Sequence, residues 1–469
     1  MIEPATGSSR ESTGPHGPVF FWIAAFLLAA APLYRGGNRP LALLVLECAG
    51  LLGLATIAWY RGRAAAAGLP STLAWGLAIL LVTPLVQLVP VPFSWWAALP
   101  GHGDYAHVLD LTGAAAEAPL HALTLNPRAT EYSWLVLIPC LAIFLAVREL
   151  ERRELRRLII LLVAIAIGEA LLGIVQVGAT RGSPLLLENP YGGGAATGTY
   201  INKNHFAALM AMALPMLIAL WATDLRPAIS ARGERMREHP RGADVQLALR
   251  ILFSLGVVLL LVALLFTRSR AGISCGLAAF AAASLALVHR SRSVAMRAVP
   301  ILVALTALSL AAYVGLTPIL EKFAPEEISL GYEGRMTIAK ATVQGALDFL
   351  PLGSGLGTFA DVFPRYQVER LPGYVDHAHN DYLEAFLELG VAGVAAMVLM
   401  AIAYLAGWQR IAREGTTRTL PLLQGGAGLG MLAVIVHGLF DFNFHIPANA
   451  ICFSFLAGVF FLTRVEDRA

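Results

Sequence analysis

Long apolar runs, broken by short polar or basic segments, recur from one end of the chain to the other. A helix crossing a bilayer needs about 20 mostly apolar residues, and shorter runs reach across when their flanks snorkel. The pattern predicts about twelve such helices. They centre near residues 20–34, 41–59, 73–92, 133–147, 157–178, 203–222, 248–267, 271–289, 298–316, 385–408, 421–440 and 447–463. Because Lys and Arg are retained in the cytoplasm, their distribution over alternate connections sets the orientation. One set holds RGR at 61–63, RELERRELRR at 148–157, the Arg-rich segment 223–247, HRSRSVAMR at 289–297 and QRIAREGTTR at 409–418. In the other set, residues 93–132 contain Arg128 as their one basic residue. Both termini are therefore expected inside and residues 317–384 outside.

The expected fold is an all-α polytopic membrane protein. A cytoplasmic tail at 1–18 leads into transmembrane helices 1–9 within 19–316. A large outer loop, 317–384, separates these from helices 10–12 within 385–463, and a short cytoplasmic tail follows at 464–469. Inside the loop, GRMTIAKATVQGALDFL (334–350) carries a helical stripe of Ile338, Ala341, Val343, Ala346, Leu347 and Leu350. It is expected to lie along the membrane surface or to lid a cavity. No strand precedes the glycines of PLGSGLGTF (351–359), so they read as a turn that lets backbones approach closely rather than as a phosphate cradle.

Composition narrows the class. With 57% hydrophobic and 14% charged residues, the chain is not an ordinary soluble enzyme. A net charge of +3, spread along the sequence, implies no nucleic-acid partner. Cys48, Cys140, Cys275 and Cys452 sit inside apolar runs without metal-ligand spacing, and read as small core residues.

Polar groups near a bilayer are costly, so their positions carry information. Here they gather on the outer side. LFTRSRAGIS (265–274) sets Arg268 and Arg270 at the outer membrane edge, and TYINKNHFAALM (199–210) sets Lys203 and His205 at the start of a span. GYEGRMT adds Arg335, and HGLFDFNFHIPAN (437–449) adds His437, Asp441 and His445. Arg268 reads equally as a side chain snorkelling to headgroups; Arg270 and Arg335 stand out because the outer face has few cations. His205 and His445 read as interfacial or hydrogen-bonded, whereas Asp441 needs a cationic or imidazole partner.

In DHAHNDYLEAFLELG (376–390), Asp381 and Glu384 have the spacing of a capping box, with His379 and Asn380 just before the first turn. A helix N-terminus disfavours added positive charge and attracts phosphate, which makes His379 a candidate proton acceptor beside an anion site. Transfer from a lipid pyrophosphate to a sugar hydroxyl needs that pairing, together with cations for the departing diphosphate. His377 and His379 could also form an H-x-H metal pair, but no third ligand stands at characteristic spacing; no metal or cofactor is expected.

Over residues 195–450 the chain resembles the O-antigen ligase and polymerase family of bacterial envelope glycosyltransferases. GTYINKNHFA, FTRSRAG, GRMTIAKA with LPLGSGLGTFADVFPRYQ, HAHNDYLEAFLELGVAGV and HGLFDFNFHIPAN carry the resemblance. It implies metal-independent, inverting transfer of a glycan from undecaprenyl diphosphate, on the periplasmic side of the bacterial inner membrane, to lipid A core or a lipid-linked repeat. The family's essential histidine falls on His379, its arginines on Arg270 and Arg335, and its C-terminal acidic position on Asp441. Arg268, Lys203, His377 and Asn380 are expected to bind substrate. Two other readings are a protein O-oligosaccharyltransferase and a multi-span transporter; twelve spans suit the latter, and Glu47 and Glu169 within spans could mark a proton path or pair near a helix end.

Overall fold

The computed structural model describes residues 17–62, 67–180, 182–189, 192–224, 243–290, 294–315, 317–368, 373–414 and 419–463. Most of the N-terminal tail, the C-terminal tail and the centre of the 223–247 basic segment lie outside the described residues.

All twelve apolar segments fall on helices. Eight are long and apolar enough to cross a membrane by length and composition, and a ninth candidate is a bent pair, Ala298–Tyr313 with Thr317–Phe323. The remaining three, Gly17–Ala30, Ser71–Gln87 and Pro447–Phe460, have 14, 17 and 14 residues. Within the described residues they stop at Ala30, Gln87 and Phe460, short of the usual spanning length, with Pro32 and Pro90 close beyond the first two. Large apolar side chains face outward, among them Leu52 at 70% and Trp75 at 67% exposure, as a lipid-facing surface requires.

The helix Lys203–Asp224 forms the axis, with 89% of its apolar stretch buried. Between Lys203–His205 at its start and Thr223–Asp224 at its end it is apolar on every side, so it is stable only when surrounded by other helices. Thr419–His437, Arg270–Arg290 and Ala243–Phe266 pack around it. Gly426 and Gly430, one turn apart, bring Thr419–His437 against the backbone of Pro215 and Met212; such small-residue spacing supports close helix contact in membranes.

A second, smaller core lies beyond this bundle. Ile338, Ala346, Phe349, Phe359, Val362, Phe363, Ala378 and Leu387 form it, with Tyr105, Leu125 and Tyr366 against them. The helix supporting it runs Pro325–Asp348, longer than expected at its start, where Pro325 and the acidic pair Glu326–Glu327 make a favourable first turn. Its buried stripe is Ile338, Thr342 and Ala346, while Val343 and Leu347 are exposed, so only part of the expected apolar stripe faces inward. The outer connection 93–132 contributes short helices and a strand, Leu120–Ala122, which pairs antiparallel with Pro90–Pro92, the end of the apolar segment 73–92.

The PLGSGLG turn locks this layer to the bundle. The helix Asp381–Glu414 breaks at Gly390, which has φ 58°, and the turn takes up the freed backbone groups. Ser354 N–H donates to Leu387 O (2.9 Å), Gly355 N–H to Glu388 O (3.0 Å) and Val391 N–H to Pro351 O (3.0 Å). The Gln87 amide donates to Glu388 O (2.8 Å) and Leu352 O (3.0 Å) and accepts from Leu356 N–H (3.1 Å). Gly353 has φ 76°, and a Cβ there would strike the Glu388 carbonyl. Gly353→Ala is therefore expected to cost about 3 kcal/mol or more, against about 1–2 kcal/mol for Gly373→Ala, whose φ is also positive but whose surroundings are open. Equal unfolding midpoints for the two variants in detergent would contradict the interlock.

Candidate active site

The helix that starts at Asp381 is capped by Asn380, whose Oδ1 accepts the N–H groups of Tyr382 (3.1 Å) and Leu383 (3.0 Å). Its Nδ2 donates to Leu439 O (3.0 Å). The Asn380 amide expected to contact substrate is thus engaged by backbone at both ends. The Asp381–Glu384 capping box is not formed, because both carboxylates are drawn into tertiary contacts. Asp381 accepts the N–H groups of Asn443 (3.0 Å) and Phe444 (3.3 Å) and faces His445 Nδ1 at 3.2 Å. Glu384 reaches back along the chain to accept Ala378 N–H (2.8 Å) and pair with His377 Nδ1 (2.7 Å), and it meets His445 Nε2 at 3.2 Å. Glu384 and Asp381 thereby clamp the turn before the helix to the C-terminal hairpin.

Within that clamp His379 adopts φ 50°, a left-handed conformation costing an ordinary residue about 1–2 kcal/mol. The two histidines of the H-x-H pair part company: His377 joins Glu384, and the His379 ring sits 3.4 Å from Asp441 Oδ1. Asp441 is 1% exposed, accepts Phe442 N–H (3.0 Å) and lies 3.9 Å from His205 Nε2. Burial opposes its charge, but the hydrogen bond with His379 and the nearby His205 and His437 rings hold its carboxyl well below the usual carboxylate range. Phe442 separates the imidazoles, stacked on His377 at 4.0 Å and edge-on to His205 and His379 at 4.7 and 5.2 Å. Asp441 Oδ2, His205 Nε2 and both ring nitrogens of His437 are buried with no hydrogen-bond partner among the described residues. Hydrogen-bonding capacity is thus held in reserve around Asp441.

The cations converge on the same end of the bundle. Arg335 is half-buried on Pro325–Asp348; burial lowers its guanidinium from the ordinary value, Asp441 opposes that shift, and Arg270 adds to it. Arg270, at the start of its helix, donates to Glu327 O (2.6 Å) and lies against Gly331, one turn before Arg335. Lys203 Nζ donates to Arg268 O (3.4 Å), and Arg268 borders Gly194. Lys203, Arg268, Arg270 and Lys322 share one electrostatic neighbourhood.

Sequence reasoning missed Gln87 and Phe442, and read Glu384 and Asp381 only as caps. Two buried carboxylates three residues apart, next to a histidine-rich hairpin, were the available signal. Glu169, one of two residues supporting a transporter, accepts both the N–H and the hydroxyl of Thr199 at 2.8 Å, so it fastens the loop before Lys203.

His377, Glu384 and His445 offer three ligand atoms within 4.8 Å of one another, a trio that takes in one histidine of the H-x-H pair and leaves out His379. Asp381 behind His445 resembles the carboxylate that often orients a metal-bound imidazole. The same atoms close hydrogen bonds among themselves, however. His445 is pushed up to about 10, burial opposing and Glu384 and Asp381 prevailing, so it would have to lose a proton before ligating.

A helical membrane protein that collects a histidine–carboxylate pair and several cations at one end of its bundle has side chains there able to exchange a proton and to hold an anion. Residues 255–398 match the family model described as Wzy_C, O-antigen ligase, which supports the O-antigen ligase/polymerase family for this chain. The matched segment contains Arg270, Arg335, His377 and His379 and ends before Asp441. No curated protein matches.

Proposed function

We propose that this protein is a glycosyltransferase of the bacterial inner membrane that moves a glycan from undecaprenyl diphosphate to an acceptor sugar on the periplasmic side. The observation that carries the reading is the His379–Asp441 pair, with Arg335 within electrostatic range of the same carboxylate. His379 takes the proton of the acceptor hydroxyl as that oxygen attacks the anomeric carbon. The bond from this carbon to the diphosphate oxygen breaks with inversion, and its electron pair leaves on the diphosphate. Arg270 and Arg335 meet that charge, with Lys203 and Arg268 at the entrance, while Asp441 offsets the positive charge gained by His379. The chemistry uses side-chain cations and an imidazole and calls for no metal. His377 supports the His379 turn through Glu384. Both termini are cytoplasmic, and the three shorter apolar helices also cross the bilayer, which makes twelve spans.

Purified protein should convert undecaprenyl-diphosphate-linked oligosaccharide to transferred product and free undecaprenyl diphosphate. A product on added lipid A core identifies a ligase, and lengthened lipid-linked chains without core identify a polymerase. Arg270→Ala and Arg335→Ala should each lower the rate about 10²–10³-fold. Uptake of substrate into proteoliposomes with no glycan product would overturn the reading.

A further inference from the structure

Away from the His379 centre, the outer layer contains a cleft of about 550 Å³ lined by Trp96, Asp104, Tyr105, His121, Asp361 and Arg365, among others. That volume falls within the range of small-ligand sites. Trp96 is 3% exposed, yet its indole Nε1 has no hydrogen-bond partner among the described residues, and neither has His121 Nε2. A buried indole N–H is ordinarily paired, so an unpaired one beside a cleft points to a ligand that accepts a hydrogen bond. The aromatic wall is rigidly set: Trp96 packs 4.8 Å from the His102 ring and 5.1 Å from His121, and His102 packs on Phe349 at 5.6 Å.

Charge identifies the class of ligand. Arg365 is paired with Asp104 Oδ2 at 2.6 Å and donates to Gly101 O at 3.2 Å, while Asp361 accepts from Asn126 at 2.9 Å. With two carboxylates and one neutralised cation, the cleft repels phosphate, unlike the cationic end of the bundle. Aromatic rings, carboxylates and ring nitrogens without partners together suit a pyranose ring, which presents an apolar C–H face and hydroxyl edges.

We propose that this cleft binds neutral saccharide units of a glycan, a subsite that rests on the glycan-transfer reading above. The cleft belongs to the same small core as Ala378, the neighbour of His379, through Tyr105, Phe349 and Leu125. A glycan held there is oriented by the layer that carries the reacting imidazole.

Two lipid-free probes test it by direct binding to the purified full chain: oligosaccharide released by mild acid from the host's lipid-linked glycan, and lipid A core oligosaccharide. Binding of either that weakens about tenfold in Trp96→Phe and in Asp104→Ala supports the subsite, and the probe that responds tells whether donor or acceptor occupies it. Asp104 is 74% exposed, so its variant leaves the core intact and decides the matter alone should Trp96→Phe not fold. Binding unchanged in the variants, or no binding of either probe, overturns the proposal. In transfer assays KM should rise with kcat kept. Failure of the wild type to make any transferred product sinks the glycan-transfer reading instead.

Discussion

His379→Ala is expected to lower the rate of glycan transfer by about 10²–10⁴-fold, the contribution of a well-placed proton acceptor. The ring has one carboxylate partner, Asp441 at 3.4 Å, and is 32% exposed, so part of its edge can meet a hydroxyl. The turn holding it is fixed by Ala378 N–H on Glu384 and by the Asn380 cap, neither of which uses the imidazole. The variant should therefore fold, insert and bind the lipid-linked donor with near-normal affinity, the loss falling on kcat. Asp441→Asn should give a smaller loss, since the imidazole stays but its charged partner is gone. Wild-type kcat in a correctly folded His379→Ala protein would remove the proton-transfer role.

Glu384→Ala should have the largest effect on stability, about 3–5 kcal/mol, as expected for removing one partner from a buried charged cluster. Glu384 is 1% exposed, and its loss strands Ala378 N–H, His377 and one face of His445. The cluster also predicts a pH dependence in the wild type. Folding raises His445 from the ordinary imidazole value of 6.5 to about 10, so the folded state binds the extra proton between those values. Its stabilisation is full below pH 6.5, declines as pH rises, and is lost above pH 10. Thermal unfolding in detergent measures both effects. A Glu384→Ala midpoint equal to that of the wild type, or a wild-type midpoint that is flat across this window, would show that the clamp adds nothing.

The roles of Asp381 and Glu384 illustrate how far local reasoning reaches. Their spacing was legible as a helix start, and a helix does start there. Capping is a contact within one turn, so sequence can propose it; the preference of these carboxylates for His445 and the Asn443 backbone is a contact across about 60 residues, and no local rule ranks it. Gln87 is harder still to foresee, since its partners on the Gly390 break lie far away in sequence and an amide at a helix end carries no periodic signal.

The sequence by itself determined that the chain is a helical membrane protein, where its long apolar helices lie, and which histidines, arginines and aspartate were worth watching. Those features follow from the cost of exposing backbone polar groups or charges to hydrocarbon, a penalty that acts residue by residue. Only the tertiary structure decided the pairings: His379 with Asp441, His377 with Glu384, and Asn380 with backbone. It also built residues 90–125 into a folded layer with a cleft of its own. Pairing depends on which distant segments can close together without leaving a buried polar group unmet, and that is a property of the packed whole.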